Sequence, residues 1–292
     1  HKIIVITGPT AVGKTKLSIE LAKKYDGEII NADAVQVYKG LNIGSAKVTE
    51  EEKEGIPHHL LDFKEVTEEY TIYHYQKDCR EKIKDIQSRN KTPILVGGTG
   101  LYIKAALYDY KLSEEKSTNT YDNLTNEELY EELKKLDKDI IIDKDNRRRL
   151  IRAINYYKEN NESINKNKTN KLLYNVIFIG LTTDRQVLYD KINKRVDEMI
   201  SQGLLEEVKS FYDKGIKSKP LLNAIGYREL YNYLDGNCTK EEAIEKIKQN
   251  SRHYAKRQYT FFNHQLPVVW FETDYNNFNN TIEKVASYID SN

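Results

Sequence analysis

Eight consecutive residues near the start of the chain, Gly8-Pro9-Thr10-Ala11-Val12-Gly13-Lys14-Thr15, match G-x-x-x-x-G-K-[ST] without a mismatch. This pattern is suited to holding an anion. Its glycines let backbone N–H groups turn inward around a phosphate, and a helix opening at the end of the loop adds the positive end of its dipole. Lys14 is placed to neutralise phosphate oxygens, and the Thr15 hydroxyl is a ligand for Mg²⁺. The apolar run 2–7 precedes the loop, and Leu17, Leu21 and Tyr25 follow at i, i+4 and i+8. Strand, loop and helix therefore stand in the order a P-loop requires, with the helix expected to end at Gly27.

A carboxylate comes next. Residues 28–32 read as a buried strand, and Asp33 follows directly. In a parallel sheet the C-terminal strand ends line the ligand crevice, so Asp33 points toward the phosphate loop as metal ligand, general base or helix cap. The strand at 93–96 ends in Gly97-Gly98-Thr99, where a nucleotide-hydrolysing P-loop protein would carry an acidic residue. Basic side chains are densest at Arg147, Arg148, Arg149 and Arg152, of which Arg149 and Arg152 share a helix face. Lys248, Arg252 and Lys256 form a second stripe at i, i+4 and i+8, with Ile244, Ile247, Tyr254 and Phe261 expected in the core. Either basic set is a solvated face or a row of phosphate contacts for RNA. His58-His59 has no further ligands at metal spacing, and the 22 tyrosines are too scattered to form a base-stacking platform.

The elements that position these groups follow from periodicity. Short apolar runs at 2–7, 28–32, 93–96, 175–181 and 268–271, separated by helix-length stretches, indicate an α/β fold: a P-loop NTPase-like parallel sheet flanked by helices. Between 111 and 171 the strand-like runs vanish and Glu, Lys, Asn and Leu dominate, as in 126–136 and 147–157. This marks a small helical insertion, with a loop at 113–123 and a polar low-complexity linker at 160–170. The expected organisation is a first core part at 1–110, the insertion at 111–171 and a second core part at 172–292. That last part carries a long amphipathic helix over 240–262, a final strand and a closing helix.

The 292 residues are 39% apolar and 31% charged, with a net charge of +1, so an RNA surface has to be a local patch. Two distant cysteines, Cys79 and Cys238, argue against a disulfide framework or a zinc site and fit a reducing cytoplasm. No apolar run approaches the ~20 residues of a membrane span, and the opening run 3–6 is too short for a leader peptide.

Six blocks resemble the tRNA dimethylallyltransferase (tRNA isopentenyltransferase) family. They are the P-loop 8–15; Asn-Ala-Asp-Ala-Val-Gln-Val-Tyr at 31–38 with Asn-Ile-Gly-Ser-Ala-Lys at 42–47; Pro-His-His-Leu-Leu-Asp at 57–62; Gly-Gly-Thr-Gly-Leu-Tyr at 97–102; Ala-Ile-Gly-Tyr-Arg at 224–228; and Tyr-Ala-Lys-Arg-Gln at 254–258. They occur in order through nearly the whole chain. Ala34 replaces a serine often found after the aspartate, and the insertion is shorter than usual around 112–122.

The resemblance implies transfer of a dimethylallyl group from dimethylallyl diphosphate to the exocyclic amine of the adenosine 3′ of the anticodon, flipped out of its stack. It implies Mg²⁺ as cofactor and the tRNA anticodon stem-loop as partner, with a monomeric, cytoplasmic enzyme expected. By the same resemblance Asp33 takes the amine proton, while Lys14, Thr15 and Arg195 absorb charge on the leaving diphosphate. Arg195 is carried by the match of Lys-Arg-Val-Asp-Glu-Met at 194–199. The tRNA-binding set it implies comprises Asp33, Ala34, Val35, Gln36 and Thr99 near the crevice, Arg148, Arg149, Leu150, Ile151 and Arg152 on the insertion, and Gly226, Tyr227, Arg228, Arg252 and Lys256 beyond it. The alternative is a P-loop kinase of a nucleoside or small molecule, which would bind ATP and use 147–152 as a lid. A GTPase-like switch is set aside, because no NKxD stands at a strand end.

Overall fold

The structure is a computed structural model that describes residues 2–112, 121–166 and 171–292. Six parallel strands form one sheet: β1 (Ile3–Thr7), β2 (Gly27–Asn31), β3 (His58–His59), β4 (Thr92–Val96), β5 (Val176–Thr182) and β6 (Val269–Glu272), in the order 3-2-4-1-5-6. Strand β1 lies at the centre, between β4 and β5. Its Ile3 and Val5 enter one buried cluster, and Ile4 and Ile6 enter the other. A strand covered on both faces alternates between two cores, so its sequence reads as an unbroken apolar run.

The described helices are α1 (Lys14–Lys24), α2 (Glu50–Lys53), α3 (Ile72–Ser88), α4 (Gly100–Leu107), α5 (Asn126–Leu136), α6 (Arg147–Asn160), α7 (Arg185–Ser201), α8 (Leu204–Tyr212), α9 (Lys219–Asn223), α10 (Tyr227–Leu234), α11 (Lys240–Gln265) and α12 (Phe278–Asp290). The expected α/β architecture is borne out. Differences in detail have local causes. Helix α1 ends at Lys24 with the left-handed turn on Asp26, and Gly27 is the first residue of β2 rather than a helix terminator. Strand β3 has only two residues, too few for a periodic signal, and exists through its pairing with Ile29 and Ile30. Helix α11 runs three residues past 262 and stops where Leu266 turns extended and buried.

His58 and His59 belong to this edge. His59 Nε2 lies 2.7 Å from Glu28 Oε1, and Arg89 grips both oxygens of the same carboxylate. Arg89 first, then His59, hold the Glu28 carboxyl down at about 2. Among the described residues no cluster of three or more His, Cys, Asp or Glu side chains is arranged to hold a metal. Cys79 is buried and Cys238 half-buried, both as free thiols, and no described helix is long and apolar enough to cross a membrane.

Helices α5 and α6 have a core of their own, made of Tyr121, Leu129, Leu133, Ile140, Leu150, Ala153 and Ile154. Thr125 and Glu128 form a capping box at the start of α5, and the Asn146 side chain caps α6 by accepting from Arg149 N–H. At the root of this segment Tyr108 and Leu172 form an antiparallel bridge, flanked by the bonds Asp109 N–H to Lys171 O and Leu173 N–H to Leu107 O. Of the expected loop at 113–123, residues 113–120 lie outside the described residues. Tyr121 packs into the small core and gives its backbone carbonyl to Arg147. The expected linker at 160–170 holds a short 3₁₀ turn, Ile164–Lys166, and 167–170 lie outside the described residues.

Candidate functional site

The P-loop lies at the C-terminal end of β1, and the side of the loop away from its cradle is braced. Thr273 Oγ1 donates to Val12 O at 2.7 Å, and Tyr275 Oη donates to Ala11 O at 2.9 Å. A trans peptide sets its C=O and N–H on opposite sides, so these bonds turn the Val12 and Gly13 N–H groups away from the brace, into the cradle. Gly13, at φ 97°, has the Phe278 ring where a Cβ would stand, 2.6 Å away. Lys191 covers the Tyr275 ring at 3.9 Å. Sequence reasoning misses this brace, because Thr273, Tyr275 and Phe278 lie some 260 positions from the loop and carry no motif. Thr273→Val leaves a buried carbonyl unpaired and is expected to cost about 1–3 kcal/mol of stability. A thermal melt and a pyrophosphate titration check this, with several-fold weaker binding expected. Unchanged affinity would show that the cradle holds its shape unaided.

Lys14 donates to Gly8 O at 2.6 Å. Burial pushes its ammonium down to about 8; the Asp33 carboxylate counters this, and the Arg195 guanidinium adds to it. These three residues, far apart in sequence, are therefore electrostatic neighbours. Arg195 is half-buried, and burial lowers it from its ordinary value against the pull of Glu198 and Glu52. Asp33 follows β2 with its backbone clamped by the buried Asn31 side chain, which accepts from Asp33 N–H and donates to Asp33 O, both at 3.0 Å. Asp33 Oδ1 accepts from Val35 N–H at 2.8 Å and from Gln36 N–H at 3.2 Å. Oδ1 thus closes the turn after β2, while Oδ2 has no hydrogen bond among the described residues.

At the end of β4, Gly97 and Gly98 stand where an acidic residue would be in a hydrolase, and the structure gives the reason. A Cβ on Gly97 would lie 2.3 Å from the Ala32 carbonyl, and one on Gly98 would lie 2.1 Å from Gln258 Nε2. Close approach of the backbone at the end of β2 requires Gly97, whereas a side chain at 98 would displace the tip of Gln258 from its bond to Gly98 O. Gln258 donates to Gly98 O at 3.0 Å, and Thr99 Oγ1 accepts from Ala34 N–H at 2.9 Å. Tyr254, one turn before Gln258, is not in the core as expected: the residue is partly exposed. Burial of its hydroxyl, then Asp33 nearby, push it up to about 12, while hydrogen bonding to Thr99 and Gln258 counters them. The i, i+4 pair Tyr254/Gln258 within the 254–258 block is the sequence signal for this wall of the site.

The remaining expected RNA contacts separate. Arg148 and Arg149 are exposed and Arg152 half-buried, and none of the three has an ion-pair partner among the described residues. Arg147 is different: it donates to Leu124 O at 2.7 Å and ties down the start of the segment. Leu150 is 0% exposed inside the small core, so its side chain supports the arginines and cannot touch RNA itself. Ile151 is half-buried against the same core. Tyr227 is also 0% exposed, with its hydroxyl on Glu207, and Gly226 is buried with its N–H on Glu229. Only Arg228 of that block faces solvent. The expected stripe on α11 is broken as well. Lys248, with 14% of its side chain exposed, pairs with Asp197 at 2.9 Å and with Glu245 at 3.5 Å. Arg252 donates to Asn193 Oδ1 at 2.6 Å, leaving Lys256 as the exposed cation. Helical spacing predicts the stripe, but acidic and amide groups on neighbouring α7 consume two of its three members.

The chain as a whole is similar to proteins of one family. A family model described as IPP transferase matches residues 36–265. A tRNA dimethylallyltransferase of Anoxybacillus flavithermus is 50% identical over 300 residues, covering 99% of this chain and 96% of the relative. The solved tRNA isopentenylpyrophosphate transferase of Bacillus halodurans is 42% identical at a TM-score of 0.77, covering 99% of this chain and 96% of that one. A eukaryotic dimethylallyltransferase, described in crystallographic snapshots as acting on tRNA, is 30% identical at a TM-score of 0.85, covering 99% of this chain and 80% of that one. This chain belongs to the tRNA dimethylallyltransferase family.

Proposed function

We propose that this chain transfers a dimethylallyl group from dimethylallyl diphosphate to the exocyclic N6 amine of the adenosine 3′ of the anticodon in tRNA, releasing diphosphate. One observation carries the reading: the buried Lys14 of the phosphate loop lies within electrostatic reach of both the Asp33 carboxylate, which follows β2, and the Arg195 guanidinium of α7. Residues 8–15 hold the donor diphosphate, and Lys14 and Arg195 stabilise the charge that grows as the C1–O bond breaks. The amine nitrogen bonds to C1, and Asp33 Oδ2 takes its proton.

Thr15 is the chain's own candidate ligand for Mg²⁺. A single hydroxyl suits this ion, which keeps several waters and binds substrate phosphates rather than an all-protein cage. When bound there, Mg²⁺ would further neutralise the leaving diphosphate. Incubation with labelled dimethylallyl diphosphate and bulk tRNA tests the proposal, with label expected in RNA. Phosphoryl transfer from ATP to a small molecule, with no label in RNA, would establish the kinase reading instead.

The 111–171 segment is proposed to hold the stem while the flipped base enters the crevice, with Arg148, Arg149 and Arg152 as its phosphate contacts. Among the described residues none of the three has a protein counterion, which supports this, because each can then displace a counterion from RNA. Neutralising Arg149 and Arg152 together is expected to raise KM for tRNA and to flatten the slope of log affinity against log salt by roughly one unit for each phosphate no longer held. A salt series on both proteins decides it: identical slopes would reduce these arginines to a solvated face.

A further inference from the structure

The Asn-Ile-Gly-Ser-Ala-Lys block at 42–47 and the Ala-Ile-Gly-Tyr-Arg block at 224–228 meet at one side chain, Glu207 of α8. Its Oε1 accepts from Asn42 N–H at 3.1 Å and from Ile43 N–H at 3.0 Å, and its Oε2 accepts from Ile43 N–H at 3.0 Å and from Gly44 N–H at 3.2 Å. Oε2 also accepts from the Tyr227 hydroxyl at 2.5 Å. Four donors thus converge on one carboxylate, three of them successive backbone N–H groups. The Tyr227 ring closes the arrangement, because a Cβ on Gly44 would lie 2.5 Å from it. Burial, then the neighbouring carboxylate, keep the Tyr227 hydroxyl protonated by raising it far above its ordinary value.

The opposite side of the same loop is held by a cation. Lys47 Nζ donates to Tyr38 O at 2.6 Å, to Asn42 Oδ1 at 3.0 Å and to Asp62 Oδ1 at 2.7 Å. A surface turn with its N–H groups on a carboxylate and a carbonyl on an ammonium is fixed far more firmly than chain connectivity requires. The fixed position reaches the site. Gln36 Nε2 donates to Ser45 O at 2.9 Å, and Gln36 N–H belongs to the turn that closes on Asp33 Oδ1. Gln36 thus ties the 42–45 turn directly to the turn that carries Asp33.

We propose that Glu207, with Tyr227 as its support, is a positioning residue for the nucleic-acid acceptor. It holds the 42–45 turn, and through it Gln36, in the arrangement that receives the base. The proposal rests on the transferase reading above and concerns the acceptor side of the site alone. A carboxylate is required, because Glu207→Gln presents an NH₂ group to N–H donors and must release at least one of them. The loop then populates other arrangements, and acceptor affinity falls by the fraction that remains competent. Saturating tRNA reselects the competent form, so the loss appears in KM.

The test measures transfer to tRNA under varied tRNA for wild type, Glu207→Gln and Gly44→Ala, alongside amide hydrogen exchange at 42–44 and pyrophosphate affinity. The second variant reaches the same turn from the other side, so the test survives if the first does not fold. The expected result is a rise in KM for tRNA of about 10-fold or more, kcat within a few-fold, faster exchange at 42–44 and unchanged pyrophosphate affinity. Faster exchange with an unchanged KM would overturn the proposal, since Glu207 would then order a loop that the acceptor never reads. A loss confined to kcat would overturn it as well. A wild-type protein that labels no tRNA would instead sink the transferase reading, before either variant is scored.

Discussion

Asp33→Asn is expected to lower kcat by about 10²–10⁴-fold while leaving the melting temperature and KM for both substrates close to those of the parent. This substitution separates two roles that the structure gives to one side chain. Oδ1 of Asp33 accepts from Val35 and Gln36 N–H groups and so closes the turn after β2. An asparagine keeps an oxygen for that task, and the Asn31 clamp on the Asp33 backbone is untouched. What asparagine cannot do is accept the amine proton as the nitrogen attacks. Asp33→Ala removes both functions and is expected to lose stability by about 1 kcal/mol or more in addition to turnover. Steady-state kinetics and thermal melts on the two variants give the answer. An asparagine variant with near-parental kcat would reduce Asp33 to a turn cap and would require another base beside the cradle.

The parts of this protein that are legible in its sequence share a physical property: they are local. The 8–15 loop is a single continuous segment whose spacing is its mechanism, and the central strands are continuous apolar runs because both their faces are covered. Asp33 is legible because a strand end specifies a direction. What escapes depends on partners far along the chain. Thr273 and Tyr275 brace the P-loop across more than 260 positions, and Glu207 reaches the 42–44 turn across about 165. No periodicity encodes such pairs. Tyr227 shows the opposite error: its block resembles a functional motif and reads as an RNA contact, whereas its side chain is fully buried behind the loop it supports. Lys248 misleads for a related reason, since helical spacing reports a shared face and is silent about Asp197 on the neighbouring helix.

Lys14→Met is expected to raise the melting temperature of the free protein at pH 7 and at the same time to lower affinity for pyrophosphate by about 10²-fold or more. The two effects have one cause. Burial holds the Lys14 ammonium at about 8, against 10.5 in the unfolded chain. Below pH 8 both states carry the proton, and the folded state bears the cost of a buried charge. Between about 8 and 10.5 the unfolded chain binds more protons than the folded one, so the relative stability of the parent rises with pH through that window and levels off above it. The stability gap between variant and parent should therefore close as pH climbs from 8 toward 10.5. Ligand reverses the order at neutral pH: pyrophosphate stabilises the parent by mass action and has little to offer the variant. In the parent, pyrophosphate affinity should weaken as pH rises past about 8, although pyrophosphate itself becomes more anionic over the same range, so a fall cannot originate in the ligand. Melts of both proteins with and without pyrophosphate, at pH 7 and near pH 10, contain every comparison needed. If pyrophosphate protects both proteins equally, Lys14 is not the cation of the cradle.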